Sequence, residues 1–461
     1  MSLLINGTAC SSLHFTGILG SGMSAVSQYC CQTGIAVTGS DRLAESVDTK
    51  DIRKKLEKIG CVFFPQDGSG ISEKTSAIVV STAIEEDNRD ILAARNRDIP
   101  VFHRSDVLAA LIDTKRTVAI AGTSGKSTVA AMVFEFLTSC GKSPSLITGA
   151  SLIRLEEEGL VGNAFQGESD ILIIEADESD GSLVKYRPEV SVFLNISRDH
   201  KPLEEVLRLF ETLANQSTYV IANANDQRLK LSGVSTTFGT SITARYKPER
   251  IETITPFVTF FRSGTLFELP QPGYHNLLNV LAALCVCDYF GCQDFRLAEA
   301  VGRFKGLRRR FSIVTLAGGI KVVDDFAHNP EKVRAAMITA KAMCRRVFAV
   351  FQPHGFGPTR FLKDDYVKVF SEILTNNDEL YLLPIYYAGG TAQKDISSND
   401  LAMGISGGSK AVFTPPDRAA CIGMLREKVM PGDMVLVMGA RDPSLSGFAS
   451  DLAKALSPET R

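Results

Sequence analysis

The residue types and spacing at positions 122–128 are typical of a loop that holds phosphate groups. These residues read Gly-Thr-Ser-Gly-Lys-Ser-Thr and lie between an apolar run at 117–121 and a helix-forming run that begins near Lys126. Glycines let backbone N–H groups close on an anion, a helix N-terminus adds partial positive charge, and Lys126 supplies a full charge. Ser127 places a hydroxyl where a nucleotide-bound Mg²⁺ needs an oxygen ligand. The sequence therefore predicts a phosphate-binding loop, although Ile120 stands where the general Walker pattern has its first glycine.

Two further groups of polar residues follow apolar runs that are predicted to be strands. Glu175 begins an acidic cluster after the run at 171–174, and His200 lies in a second cluster after the run at 190–194. Open α/β sheets bind ligands at the carboxyl ends of their strands, so we expect both side chains to face the phosphate loop. Together with Ser127 they form a donor set suited to Mg²⁺. The alternatives are a helix-start charge for Glu175 and an N-cap or solvated loop residue for His200.

A second glycine-rich turn lies close to the N-terminus. Residues 13–22 form an apolar strand that runs into this turn, and Gly20-x-Gly22-x-x-Ala25 satisfies the dinucleotide-binding fingerprint. Asp41 follows a second predicted strand at about the expected distance. Taken alone, this pattern predicts a binding site for NAD. It establishes only that a pyrophosphate-sized anion lies at a helix N-terminus, not which nucleotide carries it.

Predicted strands and helices alternate three times along the chain, which is long enough for about three domains. A break near 113–116 precedes the phosphate loop, and the alternation restarts near residue 312. We therefore predict an α/β protein with three domains. They are an N-terminal Rossmann-like domain (1–112), a central P-loop ATPase-type α/β domain (113–311) and a C-terminal Rossmann-like α/β domain (312–461).

The composition is that of an ordinary globular protein without a strong net charge. The 461 residues are 44% hydrophobic with a formal net charge of -2, which gives no electrostatic footprint for nucleic acid or an anionic membrane. The ten cysteines form no CxxC pair, which favours buried thiols in a reducing compartment. There is no signal-peptide pattern and no apolar run long enough for a membrane helix. We therefore expect a cytoplasmic protein that binds neither nucleic acid nor membrane.

Nine segments, taken in chain order, resemble the motifs of the Mur ligases. The resemblance spans nearly the whole chain. Residues 22–24, within the first segment, and the segment 175–180 are most similar to the members that join L-alanine to UDP-N-acetylmuramate. It implies an ATP-dependent amide-bond ligase of peptidoglycan precursor synthesis, in which ATP phosphorylates a substrate carboxylate and an amine displaces the phosphate. The nine segments are 17–24, 39–41, 122–128, 175–180, 199–200, 272–279, 309–311, 325–330 and 351–354.

The resemblance also implies which residues bind each substrate. ATP would be bound by Gly122, Thr123, Ser124, Gly125, Lys126, Ser127, Thr128, Asn276, Asn279, Arg310 and Asp325. Catalysis would depend on Lys126, Glu175, His200, Arg310 and His328. The ligands of Mg²⁺ would be Ser127, Glu175 and His200. A UDP-sugar such as UDP-N-acetylmuramate, rather than NAD, would be bound by Gly20, Ser21, Gly22, Met23, Ser24 and Asp41.

Within the implied ATP site, Asn276 and Asn279 would contact adenine and Asp325 would contact the ribose. Arg310 and His328 would reach phosphate oxygens. The alternatives, judged from the residues alone, are a helix cap for the two asparagines and a solvated loop for Arg310.

The departures from the family pattern concern the amine substrate. The similar ligases have arginines where this chain has Gly355 and Pro358, and such arginines are expected to hold the carboxylate of the amino acid. His354 and Arg360 remain as the residues implied to bind the amine. Three hypotheses follow: a ligase for L-alanine or another amino acid, a paralogue that recycles murein peptides or joins another acid and amine, and a non-catalytic nucleotide-binding protein.

Overall fold

The computed structural model describes residues 2–47, 49–178, 181–197, 202–387, 393–406 and 410–457. The chain forms two compact units. The first comprises Met1–Glu252, Thr259–Pro270 and Asn276–Leu307, and the second comprises Thr253–Val258, Gln271–His275 and Arg308–Arg461. The second unit therefore takes two short segments from the part of the sequence that otherwise builds the first.

The first unit begins with a parallel sheet and its helices. Its elements are β1 (Leu3–Ile5), β2 (Thr8–Cys10), β3 (Ser12–Thr16), α1 (Ser21–Gln32), β4 (Ala36–Ser40), α2 (Lys50–Lys58), β5 (Val62–Phe64), β6 (Ala77–Val80), α3 (Arg89–Arg95), β7 (Val101–His103) and α4 (Arg104–Ile112). β1 and β2 form an antiparallel hairpin, and the other strands form a parallel sheet in the order β5-β4-β3-β6-β7. From β3 the chain first adds β4 and β5 on one side of the sheet and then β6 and β7 on the other side. Sheets of this kind bind ligands at such a switch point.

The first unit continues with a larger sheet. Its elements are β8 (Arg116–Ala121), α5 (Lys126–Ser139), β9 (Ser145–Ile147), α6 (Ile153–Glu157), β10 (Ala164–Phe165), β11 (Ile171–Ala176), β12 (Val190–Phe193), α7 (Leu203–Asn215), β13 (Tyr219–Asn223), β14 (Thr236–Phe238), β15 (Arg250–Thr253), β16 (Val258–Arg262), β17 (Thr265–Leu269), α8 (Tyr274–Tyr289) and α9 (Asp294–Arg303). The order β10-β9-β11-β8-β12-β13-β14 places β8 at the centre. Val118–Ala121 are fully buried, as expected for a parallel strand covered on both faces. β15, β16 and β17 form a separate three-stranded sheet.

The second unit contains the third α/β sheet. Its elements are β18 (Ser312–Thr315), β19 (Lys321–Asp325), α10 (Pro330–Met343), β20 (Val347–Gln352), α11 (Phe356–Phe361), α12 (Lys363–Ile373), β21 (Glu379–Leu382), α13 (Ser398–Ser406), β22 (Ala411–Phe413), α14 (Arg418–Lys428), β23 (Met434–Gly439) and α15 (Leu445–Leu456). The strand order is β18-β19-β23-β20-β21-β22. Only β18 runs antiparallel to its neighbour among these described strands. Apolar clusters fill both faces of this sheet.

The three α/β sheets, in the predicted chain order, confirm the fold class. The first two share one compact unit, so the boundaries at 112/113 and 311/312 remain predictions. The sequence did not predict the small sheet of β15–β17. All ten cysteines lie in the described residues as free thiols, seven of them buried. None of the helices given above has both the length and the apolar character needed to cross a bilayer.

Candidate functional site

The phosphate loop joins the central strand β8 to α5, as the sequence predicts. Gly125 precedes the helix with a φ of 91°, a left-handed conformation that favours glycine. A Cβ built on Gly125 would lie 2.7 Å from Asn279 Oδ1, so a side chain is excluded here by both backbone and space. Lys126, Ser127 and Thr128 form the first turn of α5. The loop therefore presents a helix N-terminus, with its partial positive charge, at the carboxyl end of β8.

The residues that follow β12 hold this loop in place. The backbone N–H of Ser124 donates to Asn195 Oδ1 at 2.9 Å, and Asn195 Nδ2 donates back to the Ser124 carbonyl at 2.9 Å. The backbone N–H of Ser197 donates to Thr123 Oγ1 at 3.0 Å. A neighbouring strand end thus fixes the loop through backbone and side-chain hydrogen bonds.

Lys126 is held by two acidic side chains. Its Nζ lies 2.6 Å from Glu178 Oε2 and 3.4 Å from Asp177 Oδ1. Burial by itself lowers the pKa of Lys126, but the charges of Asp177 and Glu178 outweigh it and raise that pKa above its usual value. Lys126 is therefore a permanent cation at the loop, and these carboxylates occupy the position next to it in this structure.

Glu175 lies on β11 and is oriented by the turn after β9. Thr148 Oγ1 hydrogen-bonds to Glu175 Oε1, and the Gly149 N–H donates to the same oxygen at 2.9 Å. Glu175 is paired in register with Ile120 of β8, so it lies at the loop edge of the sheet, as expected. Within the described ranges, no group of three or more His, Cys, Asp or Glu side chains is placed to hold a metal ion. His200, the third predicted ligand, lies outside the described residues.

Asn276 and Asn279 lie next to each other on the buried face of α8. Asn279 Nδ2 donates to Asn276 Oδ1 at 3.2 Å, and both side chains are buried. Because the Asn279 carboxamide occupies the space where a side chain at Gly125 would lie, the predicted adenine-binding pair lies beside the phosphate loop. A simple capping role is less consistent with this position, since Asn279 lies beyond the first turn of α8.

The N-terminal glycine turn has the predicted strand–turn–helix geometry. Gly20 is the N-cap of α1, and Ser21–Ser24, including Gly22 and Met23, form its first turn. Asp41 supports this turn, because its Oδ2 accepts a hydrogen bond from the Leu19 N–H and its Oδ1 accepts one from the Leu43 N–H, both at 2.9 Å. Asp41 therefore positions the turn through backbone contacts in this structure.

Two residues from other parts of the first unit, one in α4 and one just before β10, also contact this turn. A Cβ built on Gly22 would lie 2.6 Å from Nη1 of Arg104, so the guanidinium of Arg104 lies against the start of α1. Asn163 Nδ2 donates to the Ser21 carbonyl and to Ser24 Oγ, each at 2.9 Å. The turn thus combines a helix N-terminus with a nearby cation, which is a suitable environment for a diphosphate.

In the second unit, the predicted ATP residues lie at the carboxyl end of β19. Asp325 accepts backbone hydrogen bonds from Phe311 and Ala327, each at 2.7 Å. Burial raises the pKa of Asp325, while the charge of Arg310 and these two donors oppose the rise. The Arg310 guanidinium lies 5.4 Å from the centroid of the Phe326 ring. Asp325 and Arg310 are therefore electrostatically coupled, and their contacts with ATP stay predictions.

His328 is neutral in this arrangement. Its Nδ1 lies 2.8 Å from the Phe326 carbonyl, which can only accept, so the proton is on Nδ1 and Nε2 is an acceptor. Lys332 Nζ lies 3.4 Å from that Nε2. Burial, reinforced by the Lys332 charge, lowers the pKa of His328 well below its usual value. His328 therefore brings no positive charge to a phosphate, and the cation beside it is Lys332.

The two residues predicted to bind the amine have different environments. His354 is buried at the end of β20, with its ring centroid 5.4 Å from that of His328. Arg360 forms an ion pair with Asp395 and donates to the Gln393 carbonyl at 3.1 Å. The Arg360 side chain is 45% exposed. His354 therefore lies beside His328 in the structure, whereas Arg360 already has a carboxylate partner.

Sequence reasoning missed four contacts of this site. Glu178 was visible only as part of the acidic run at 175–180, and its pairing with Lys126 depends on how β11 is placed beside β8. Arg104 and Asn195 carry no local signal that relates them to the glycine-rich turns. Lys332 follows His328 by four residues and could have been noticed, but the direction of its side chain depends on where α10 begins.

Models of known protein families match three consecutive parts of the chain. They are described as the Mur ligase family catalytic domain (12–116), the Mur ligase middle domain (120–287) and the Mur ligase glutamate ligase domain (309–441). A curated relative from Syntrophotalea carbinolica, a UDP-N-acetylmuramate–L-alanine ligase, is 34% identical over 451 residues, covering 93% of this chain and 95% of the relative. The chain belongs to the Mur ligase family.

Other Mur ligases cover the chain to a similar extent. A UDP-N-acetylmuramate–L-alanine ligase from Nitratidesulfovibrio vulgaris is 35% identical and covers 93% of this chain and 96% of the relative. The crystal structure of UDP-N-acetylmuramate–alanine ligase (MurC) from Thermotoga maritima has a TM-score of 0.78 at 25% identity, covering 96% of this chain and 98% of that chain. A murein peptide ligase from Psychrobacter arcticus shares the fold, with a TM-score of 0.69 at 18% identity over 97% and 99% of the two chains.

Membership of the Mur ligase family makes the chain an ATP-dependent ligase. This confirms the predicted class of reaction. The three matched ranges also agree with a fold of three consecutive α/β domains.

Proposed function

We propose that this Mur ligase joins L-alanine, or another amino acid, to the lactyl carboxylate of UDP-N-acetylmuramate at the expense of ATP. The observation that carries the proposal is the combination of a phosphate loop that carries Lys126 and Ser127 with similarity to UDP-N-acetylmuramate–L-alanine ligases over 93% of the chain. We further propose that the enzyme acts in the cytoplasm, where ATP and UDP-sugar precursors are both present, in peptidoglycan precursor synthesis.

The reaction has two chemical steps. The carboxylate of the UDP-sugar attacks the γ-phosphoryl group of ATP, forming an acyl phosphate and ADP, and the amine then attacks the acyl carbon and releases phosphate. Such chemistry depends on positioning and charge neutralisation more than on covalent participation of the protein. Lys126 and the loop N–H groups would hold the β- and γ-phosphates, and the family resemblance implies that Arg310 would offset phosphate charge.

The oxygen donors near the loop fit Mg²⁺. When bound, the ion would neutralise phosphate charge, and the Ser127 hydroxyl and the Glu175 carboxylate would hold it. Glu175 suits this role because the hydrogen bonds from Thr148 and Gly149 both fall on Oε1, which orients the carboxylate. His200 is proposed as a further ligand on the basis of the family resemblance.

A second candidate function is ligation of a murein peptide instead of a free amino acid. The observation in its favour is that Gly355 and Pro358 carry no charge, at positions where the family resemblance implies arginines. A peptide presents its amine and its carboxylates with a spacing different from that of a single amino acid, so the carboxylate contact would lie elsewhere.

Phosphate release and product mass distinguish these functions. The full chain is mixed with ATP, Mg²⁺, UDP-N-acetylmuramate and either single amino acids or L-alanyl-γ-D-glutamyl-meso-diaminopimelate. We expect phosphate release that requires an amine, and a product with the mass of UDP-N-acetylmuramoyl-L-alanine. Lys126→Ala should lower kcat by on the order of 100-fold or more, whereas Lys142→Ala, at an exposed lysine, should not. Absence of product with every amine would contradict the proposal.

A further inference from the structure

Asn163 connects the N-terminal glycine turn with the strand end that orients Glu175. Its side-chain Nδ2 donates to the Ser21 carbonyl and to Ser24 Oγ, each at 2.9 Å, in the first turn of α1. Its backbone carbonyl accepts a hydrogen bond from the Thr148 N–H at 2.9 Å. One residue just before β10 therefore holds the turn through its side chain and the end of β9 through its backbone.

The orientation of the Asn163 carboxamide is fixed by a further partner. Gln28 Nε2, from α1, donates to Asn163 Oδ1 at 3.3 Å, so the Nδ2 group of Asn163 is the one that faces the turn. Asn163 and Gln28 are both buried, and a buried amide that lost these partners would carry a desolvation cost. The contact between Asn163 and the turn is therefore part of the packed interior of the first unit.

The connection continues from Thr148 to Glu175. Thr148 Oγ1 hydrogen-bonds to Glu175 Oε1, and the Gly149 N–H donates to the same oxygen at 2.9 Å. The strands add a second link, because β10 pairs with β9 and β9 pairs with β11, the strand that carries Glu175. A displacement of Asn163 therefore reaches Glu175 through Thr148 and through two pairs of adjacent strands.

Ligands at the two ends of this connection favour the same arrangement. A diphosphate bound at the start of α1 would immobilise the turn and, with it, the carboxamide of Asn163. The Glu175 carboxylate holds a cation best in the orientation that Thr148 and Gly149 fix through Oε1. Each ligand therefore leaves less of the connecting chain for the other to order, which gives positive coupling between the sites.

We propose that Asn163 and Thr148 are positioning residues that couple UDP-sugar binding at the N-terminal turn to Mg²⁺ binding at Glu175. This inference rests on the proposed function, in which the lactyl carboxylate of the UDP-sugar must meet the γ-phosphoryl group of ATP. Such a reaction depends on holding both reactants in one relative position. Asn163 acts through the turn and Thr148 acts through Glu175, so both residues influence the reaction indirectly.

The test measures UDP binding to the full chain by calorimetry, in the presence of saturating AMP-PNP and either Mg²⁺ or EDTA. AMP-PNP fills the proposed ATP site, so UDP cannot bind there. UDP lacks the lactyl carboxylate, so this group cannot link the two sites directly. One neutral hydrogen bond corresponds to about 5-fold in an equilibrium constant. We therefore expect Mg²⁺ to raise the UDP affinity of the wild type by about 5-fold or more.

Two variants separate the connection from the turn itself. Thr148→Val removes the hydroxyl and leaves the hydrogen bonds of the turn in place, so its UDP affinity in EDTA should match that of the wild type while the effect of Mg²⁺ is lost. Asn163→Ala should lose the effect of Mg²⁺ and also bind UDP about 5-fold more weakly in EDTA. The double variant should show no further loss of the Mg²⁺ effect. Asn96→Ala, at an exposed asparagine of the first unit, is the matched control.

Hydrogen exchange gives a second readout of the same connection. The Thr148 N–H donates to the Asn163 carbonyl, so its exchange rate reports whether this part of the chain is ordered. UDP should slow exchange in peptides that span residues 145–150 in the wild type, and it should not do so in Asn163→Ala. Exchange that UDP leaves unchanged in the wild type would contradict the inference.

Two calorimetric results would overturn the inference while leaving the proposed function intact. One is a wild-type UDP affinity that Mg²⁺ leaves unchanged. The other is an equal effect of Mg²⁺ in the wild type, Thr148→Val and Asn163→Ala, which would indicate that Mg²⁺ acts on UDP itself. A wild type that does not bind UDP would reject both the inference and the assignment of the turn. Absence of amide formation with every amine would contradict the proposed function alone, because these binding measurements need no turnover.

Discussion

Glu135 is a buried carboxyl group in the middle of α5, the helix that follows the phosphate loop. It is 6% exposed, and its Oε1 has no hydrogen-bond partner among the described residues. Burial raises the pKa of Glu135 from 4.5 to about 7, although the charges of Arg154 and Lys305 oppose the rise. Between pH 4.5 and about pH 7, Glu135 is therefore mostly protonated in the folded protein and mostly ionised in the unfolded chain.

Because the pKa of Glu135 is higher in the folded protein than in the unfolded chain, the free energy of unfolding depends on pH. Stability is lost as pH rises from 4.5 through 7, because the folded state must ionise a buried acid that ionises freely when unfolded. Glu135→Gln should therefore stabilise the protein by up to about 3 kcal/mol at pH 8 and by less than about 1 kcal/mol at pH 5. Calorimetric unfolding temperatures at both pH values check this, with the exposed Glu204→Gln as control. An equal change at both pH values would contradict it.

Arg104 offers a second test at the scale of one residue. Its guanidinium lies against Gly22 at the start of α1, where the proposed UDP-sugar would place its diphosphate. We expect Arg104→Ala to weaken UDP binding to the full chain by about 10- to 100-fold, which is the range of one charge-assisted hydrogen bond. Isothermal titration with UDP and with NAD provides the measurement, and Arg97→Ala, at an exposed arginine, is the control. Unchanged UDP affinity, or tight NAD binding by the wild type, would refute this assignment.

At the scale of elements, the end of β12 positions the phosphate loop. Asn195 both accepts from and donates to the backbone of Ser124, so the loop loses two hydrogen bonds when this side chain is removed. We expect Asn195→Ala to raise the KM for ATP several-fold, because a loop that must be ordered on binding holds phosphate more weakly. The KM for L-alanine should change little. Steady-state kinetics measures both KM values, and circular dichroism checks that the variant is folded. An unchanged KM for ATP would show that the loop is held by other contacts.

The sequence predicts those features of the elements that depend on local pattern. β8 and the loop after it are recognisable because an apolar run is followed at once by glycines, Lys126 and Ser127. The pair formed by Lys126 and Glu178 needs the register of β11 against β8, which no local pattern contains. The neutrality of His328 depends on its burial and on the charge of Lys332 in the first turn of α10, neither of which a local pattern reveals. Arg360 looks available in the sequence, but in the structure Asp395, from a distant segment, already binds it.

At the scale of the whole molecule, the second unit includes two segments from the middle of the sequence. The N–H of Gly273 donates to the Ile254 carbonyl at 2.7 Å, and a Cβ on Gly273 would lie 2.9 Å from Thr339 Oγ1 of α10. The segments 253–258 and 271–275 are therefore hydrogen-bonded to each other, and Gly273 of the second segment lies against Thr339 of α10. A division of the chain at 307/308 removes both from the unit to which they belong.

We therefore expect the fragment 308–461 to be less stable than the second unit of the intact protein. Without the two segments, backbone and side-chain groups of α10 become exposed to water. Hydrogen exchange should be faster in α10 of the fragment than in the full chain, and a synthetic peptide of residues 250–275 should slow it. Identical exchange rates in the fragment and the full chain would show that these segments add nothing to the stability of this unit.

The position of β23 in the third sheet has a consequence for protein synthesis. β23 lies between β19 and β20, yet it is the last strand of the sheet to be made. The ribosome must add 87 residues after the end of β20 at residue 352 before it completes β23 at residue 439 (439 − 352 = 87). At roughly 5–20 residues per second this takes roughly 4–17 s. During that interval β19 and β20 each lack the neighbour that satisfies one edge of their backbone, so the nascent chain has two apolar strands with one unpaired edge each for a chaperone to protect.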